Sequence, residues 1–268
     1  MPIFVRLKII NMQEKIKSEG KCLFCDKMFA KAGINRHLAT HLKEKSETGQ
    51  RGLSYLVKVE TSKKWGSTPY FLSLWIDGET TFQSFDQFLR KIWLECCGHL
   101  SAFMDPEQKK KKSGMFDFMA AFERFSNEGI VDSDQDMEEF EGDIPMRWKT
   151  KKVLCKGKVL DYEYDFGSTT ALCITVIEQL SIKADSKIVL LSRNEPSSIM
   201  CTLCVKAPAT QICTSCMYES LSVFCDKCAK KHAKKCSDFD DYASMPVVNS
   251  PRMGVCGYEG GSIDKERD

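Results

Sequence analysis

The sequence predicts an α+β protein: an antiparallel sheet with helices on one face, plus two small modules rich in cysteine and histidine. Three observations carry this. Apolar or alternating runs bounded by turn residues recur at 53–60, 70–76, 158–166, 171–177 and 187–192, the pattern of strands in a sheet. Residues 82–93 show the apolar period of a helix. Nine of the 14 cysteines fall in two dense clusters, at 22–25 and 201–236. The composition is ordinary, with 43% hydrophobic and 28% charged residues among 268, which excludes wholesale disorder. No apolar run approaches the roughly 20 residues of a bilayer span, so no membrane role is expected. Residues 1–12 carry charges inside their apolar stretch and lack a small-residue cleavage site, so they do not read as an export signal. A cytoplasmic, reducing compartment is expected, and disulfides would not account for the cysteines there. The net charge of +2 leaves no global electrostatic footprint for nucleic acid.

Residues 1–45 form an N-terminal segment holding the first cluster: Cys22-Leu-Phe-Cys25, eleven residues, His37, three residues, His41. Two thiolates on a knuckle and two imidazoles one helical turn apart make a tetrahedral zinc site. Phe29 follows the knuckle and Ile34 precedes His37 by one turn, which supplies a miniature core beneath the metal. Over residues 20–43 this is similar to the C2H2 zinc finger, with eleven residues where that finger usually has twelve. On that resemblance the base-contact positions fall on Ala30, Gly33 and Arg36. The first two offer no hydrogen bonds to base edges, so sequence-specific DNA reading is not the leading expectation. Residues 1–52 hold eleven Lys/Arg against five Asp/Glu, which suits phosphate contact. A DNA-binding regulator working through this finger is therefore an alternative.

Residues 46–52 are polar with two glycines and read as a linker. The main domain is expected over 53–195. Strands at 53–60 and 70–76 are followed by Phe82, Phe85, Phe88, Leu89, Ile92 and Trp93, one apolar face of an amphipathic helix. Such an aromatic stripe reads as core. Cys96 and Cys97 beside His99 make a poor nucleophilic dyad, because adjacent residues on a helix point apart, and they read as packing. The lysines at 109–112 read as a solvated loop or helix end, and 115–125 as helical. Residues 128–143 hold eight acidic residues and no basic one. They cannot bury enough surface to order themselves, so a flexible acidic insertion is expected over about 126–145.

The stretch from Lys158 alternates. Asp161, Glu163 and Asp165 are expected on one face, with Tyr162, Tyr164 and Phe166 on the other. Gly167 and Ser168 mark a turn before a second strand. Three carboxylates at alternate positions, with His99, are the alternative for a nuclease- or hydrolase-like activity; a hydrophilic strand face is the expected reading. Asp165-Phe-Gly lacks the glycine-rich and catalytic-loop signatures that would give it a kinase role. No Walker loop, Rossmann fingerprint or nucleophile elbow is present, so no enzyme is expected. The helix ending in Trp93, His99-Leu-Ser-Ala-Phe103, and Leu154-Cys-Lys-Gly-Lys-Val-Leu-Asp-Tyr-Glu-Tyr-Asp-Phe-Gly-Ser-Thr-Thr170 together resemble the plasmid pRiA4b ORF-3-like family, also described as insertion-element passenger proteins. The resemblance covers residues 53–180. It implies an α+β domain of a prokaryote, associated with mobile elements. Typical members continue with an acidic residue, Trp and His where this chain has Ser168-Thr-Thr, so no catalytic residue carries over.

The second cluster, within a module at 198–240, reads Cys201-Thr-Leu-Cys204, eight residues, Cys213-Thr-Ser-Cys216, eight residues, Cys225-Asp-Lys-Cys228, three residues, His232, three residues, Cys236. Four ligand pairs suit two tetrahedral zinc ions, giving about three zincs per chain with the finger. His232 and Cys236, four apart, share a helix face, and Cys228 lies one turn earlier on it. The pattern resembles cross-braced modules of the B-box and MYND kind, in which pairs one and three bind one ion and pairs two and four the other; the spacing leaves sequential pairing open. The module has too few apolar residues to fold without metal. The tail at 241–268 has apolar residues that predict an irregular strand packed on the module or core, with Cys256 as a buried small residue. These readings converge on a zinc-binding adaptor whose partner is a protein or a nucleic acid.

Overall fold

The computed structural model describes residues 18–62, 68–107 and 143–265. Its first elements are a small antiparallel hairpin, β1 (Glu19–Lys21) and β2 (Met28–Ala30), and the helix α1 (Ile34–Lys45). Lys43 and Lys45 in the last turn of α1 complement its dipole. β3 (Arg51–Thr61) and β4 (Phe71–Asp77) follow. Next come α2 (Phe82–Leu89), a π-helical turn at Arg90–Leu94, and β5 (Ser101–Met104). β6 (Val159–Tyr164), β7 (Thr170–Ile182) and β8 (Ile188–Arg193) complete a six-stranded sheet. Its order is β5-β6-β7-β3-β4-β8, and every neighbouring pair is antiparallel. The α+β class is as expected. Among the described residues no helix is long and apolar enough to cross a membrane.

The sheet is covered on both faces, and β4 is buried at all seven positions for that reason. On one face lies α2. The Thr81 hydroxyl caps it by accepting the Ser84 N–H at 3.2 Å. Phe82, Phe85, Leu89, Ile92 and Trp93 are fully buried against Val57, Leu74, Tyr162 and Leu172, so the aromatic stripe is core. The opposite face presents Leu56, Phe71, Trp75 and Leu191, and the finger helix covers it with Ile34, Leu38 and Leu42. Helices on one face describes the main domain's own helix; the finger supplies the second layer.

The finger is therefore packed on the sheet rather than tethered to it. The Leu23 N–H donates to the Leu191 carbonyl at 3.0 Å, and the Glu195 N–H to the Glu19 carbonyl at 2.8 Å. Gly20 is required by this approach, since a Cβ there would lie 2.6 Å from the Arg193 carbonyl oxygen. Residues 46–52, read as a linker, are a short turn that already enters β3 at Arg51. Beneath α1, the buried Ser73 hydroxyl donates to Asn35 Oδ1 at 2.8 Å. Asn35→Ala leaves that hydroxyl without its partner, and a loss of about 1–3 kcal/mol in urea unfolding is expected. An unchanged midpoint would mean that α1 does not rely on this contact.

The C-terminal elements are β9 (Gln211–Cys213), β10 (Val223–Phe224), α3 (Asp226–Ala233) and β11 (Ser244–Pro246). β9 lies between β10 and β11 in a small antiparallel sheet. The tail thus packs on the module as a strand, as expected. Beyond β11 it reaches the main domain: the Ser250 hydroxyl donates to the Trp93 carbonyl at 2.7 Å, and Arg193 Nη2 to the Asn249 carbonyl at 2.6 Å. The lysine run at 109–112, the stretch 115–125 and residues 128–142 lie outside the described residues. The insertion expected to run to 145 ends sooner, because Asp143 bridges to Met104 and Ile144 is buried.

Candidate metal centres

The twelve candidate ligands read from spacing gather in the fold into three groups of four, with the ligand atoms of each group within 4.8 Å of one another. In the finger, the knuckle between β1 and β2 carries Cys22 and Cys25, and α1 carries His37 and His41. Cys25 Sγ lies 3.2 Å from His37 Nε2, which lies 3.1 Å from His41 Nε2. Phe29 stacks on His37 with centroids 4.0 Å apart, the expected floor of the site. Burial, with His41 and Lys27 nearby, lowers the His37 pKa, so its neutral, lone-pair form dominates at neutral pH. Burial raises the Cys22 thiol.

The C-terminal module is cross-braced. Cys201, Cys204, Cys225 and Cys228 form one group; Cys213, Cys216, His232 and Cys236 form the other. Sequence left this order open. Cys204 and Cys225 sulfurs are 3.9 Å apart, Cys213 and Cys236 4.0 Å, and Cys216 and Cys236 3.7 Å. A tetrahedral ion with metal–sulfur bonds of about 2.3 Å sets neighbouring sulfurs about 3.8 Å apart. Helix α3 is the brace: Cys228 serves one group and His232, a turn later, serves the other. Phe224 stacks on His232 at 4.3 Å and Phe239 meets its edge at 5.1 Å. His232 Nε2 is buried with no hydrogen-bond partner. A buried imidazole nitrogen left so is costly unless a cation takes its lone pair.

The thiols respond to their crowding. Burial and then the Cys236 and Cys213 thiols push Cys216 up to about 12. Burial and then the Cys225 thiol do the same to Cys228, also to about 12. Cys201 goes the other way: burial opposes its thiolate, but the N–H groups of Cys204, Cys225 and Leu203 outweigh this and lower it to about 6. Those N–H groups belong to knuckle backbone that already points at the sulfur. The three groups have the donor sets, spacing and backbone support of sites that could hold metal ions.

The carboxylate array is not assembled as expected. Asp161 and Glu163 share one face of β6, but the strand ends at Tyr164. Asp165 has φ +64°, and its side chain turns inward to accept N–H bonds from Gly167 and Ser168 at 3.1 Å each and from Arg252 at 2.6 Å. Phe166 is exposed instead of following the tyrosines inward. The strict alternation failed because the turn starts two residues before Gly167. His99 approaches only Asp165 of the three, at 3.6 Å. The readings of the remaining thiols also change: Cys97 and Cys256 are exposed, not buried, and with Cys96 and His99 they form a fourth group. No spacing signal could have revealed it, since Cys256 is about 160 residues from its neighbours.

Neither a family model nor a curated protein sequence matches the chain. Among solved structures, a protein of unknown function from Methanosarcina mazei Go1 is similar over 53% of this chain and 68% of its own length, at 14% identity and a TM-score of 0.33.

Proposed function

We propose that this chain is a zinc-stabilised adaptor, a binding protein whose three closed metal centres hold its surfaces in shape for a protein or nucleic-acid partner. One observation carries the reading: each of the three groups brings four protein ligand atoms within 4.8 Å. Four protein ligands complete a tetrahedral zinc shell and leave no position for a catalytic water. Thiolate-rich sets with imidazole favour zinc over harder cations. None of the fourteen cysteines is in a disulfide, which suits a reducing cytoplasm. The order helix, strand, insertion and strand pair around His99 and Asp165 supports reading the main domain as ORF-3-like, in a prokaryotic and mobile-element setting.

The partner class is open to a direct test. Lys227, Lys230, Lys231, Lys234 and Lys235 are all exposed along and just beyond α3, a basic face suited to phosphates. Full-length protein is expected to bind mixed-sequence RNA or DNA in fluorescence anisotropy at low salt. About four phosphate contacts would weaken binding roughly 100-fold between 50 and 200 mM salt. Changing Lys230, Lys231, Lys234 and Lys235 to Glu should remove most of that binding. No binding at 50 mM salt assigns the surface to a protein partner.

A further inference from the structure

We propose that Cys96, Cys97, His99 and Cys256 form a fourth zinc site, which staples the C-terminal tail to the main domain. It uses the zinc chemistry of the adaptor reading but none of the same ligands. The four ligand atoms lie within 4.8 Å of one another. Cys96 and Cys97 sulfurs are 3.8 Å apart and Cys97 and Cys256 sulfurs 3.7 Å, the separation of about 3.8 Å that a tetrahedral zinc with sulfur ligands sets. A disulfide would need about 2.05 Å. His99 Nε2 faces both, 3.0 Å from Cys97 and 3.2 Å from Cys256.

The backbone is shaped to make this convergence. Cys96 and Cys97 follow the π-helical turn that ends at Leu94. Gly98, with φ +81°, reverses the chain so that His99 faces back onto Cys97, and its N–H donates to Glu95 Oε1 at 2.6 Å. Cys256 arrives from the tail in the left-handed region, φ +51°, which is unfavourable for a residue with a side chain. The surroundings suit thiolates. Arg252, fully buried, places Nη2 3.4 Å from Cys96 Sγ and 2.6 Å from Asp165 Oδ2. The Tyr164 hydroxyl lies 3.8 Å from Cys96. Three thiolates, one imidazole and Zn²⁺ carry a net charge of −1, and Arg252 sets a cation and an N–H donor behind it. Each protonated thiol that ligates releases its proton to solvent.

The set is closed, so the ion's role is structural. It differs from the other three in access, because Cys97 and Cys256 are exposed. It also spans a seam, joining the segment after α2 to a tail that pairs through β11 with the C-terminal module. This ion would fix the module against the main domain.

Native mass spectrometry of the full chain from zinc-replete expression, with elemental analysis, tests the site. Wild type is expected to carry four zincs and Cys256→Ser three. The readout is the difference: one ion supports the site, and no difference overturns it. A total below three tells against the sequence-read modules instead, whatever that difference is. A wild-type footprint covers the case in which the variant misfolds. Cys97 and Cys256 should resist N-ethylmaleimide until chelator is added. Immediate alkylation of both in zinc-replete protein overturns the proposal, as does a wild-type mass lower by two hydrogens with peptides cross-linked through Cys97 and Cys256.

Discussion

Removal of metal by a strong chelator is expected to unfold the C-terminal module while the six-stranded sheet survives. The module's own secondary structure is slight: β9 has three residues, β10 two and α3 eight. Half of the buried residues in the cluster under its metal groups are cysteines, namely Cys201, Cys213, Cys225 and Cys228 beside Phe224, Ala229, Phe239 and Ala243. Without metal these become crowded thiols and a buried imidazole with no partner. Structural zinc supplies apparent binding energies of about 10–16 kcal/mol in finger peptides, as much as the whole stability of a typical domain, about 5–15 kcal/mol. The sheet has no such dependence, since its core is Trp93, Phe82, Phe85, Phe103 and Tyr162 with aliphatic neighbours. Hydrogen exchange with and without chelator checks this. Amides of β9 and β10 should lose protection by several orders of magnitude, while β3, β4 and β7 keep theirs. The finger should fall between, because Ile34, Leu38 and Leu42 still pack on the sheet after their metal is gone. Persistent protection of β9 in chelator would remove the structural role proposed for zinc.

What could be read from the sequence was whatever is local. Cys-x-x-Cys knuckles and a His-x₃-His turn bring their ligands together through a few bonds of backbone, so spacing reports them. The strands at 53–60, 70–76 and 187–192 were visible because their apolar runs end at turn residues. What spacing cannot report is which surface an element finds. The apolar stripe Ile34, Leu38 and Leu42 would serve equally beneath an isolated finger; that it closes over Leu56, Phe71 and Trp75 is decided by a face of β3 and β4 that α2 leaves bare. The order in which the ligand pairs of the C-terminal module combine was hidden for the same reason, since cross-braced and sequential orders both join two pairs per group. Asp165 shows a subtler failure. Its place in the alternation is genuine in sequence, but its positive φ and its bond to Arg252 take it off the strand, and Arg252 lies 87 residues further on.

Replacing Arg252 with Met is expected to destabilise the protein by about 3–5 kcal/mol, the cost of leaving a buried charge without its partner. The side chains of Arg252 and Asp165 are 0% and 7% exposed. Arg252 also donates to the Ser168 carbonyl and the Thr170 hydroxyl at 3.2 Å each, and its guanidinium lies 4.7 Å from the Tyr164 ring centre. It thus ties the tail to the turn between β6 and β7. Burial works against the Asp165 carboxylate, but Arg252 and the N–H groups of Ser168 and Gly167 outweigh it and hold the pKa below the usual range. A carboxyl lowered in the folded state stabilises fully above its unfolded pKa of about 3.9, and that contribution is lost only as pH falls through the lower folded value. At neutral pH the whole term is therefore present, and Arg252→Met exposes it. Asp165→Asn should also cost stability, since it leaves the buried Arg252 guanidinium without its counter-charge, although the amide oxygen can still accept from Arg252. In the double variant the Arg252→Met penalty should shrink by about 1–3 kcal/mol, the coupling of two residues in direct contact. Urea unfolding of the four proteins at pH 7 measures this cycle. Additive penalties would mean that Arg252 acts by packing and not by neutralising Asp165, and the tail would then be held to the sheet by shape and its other hydrogen bonds alone.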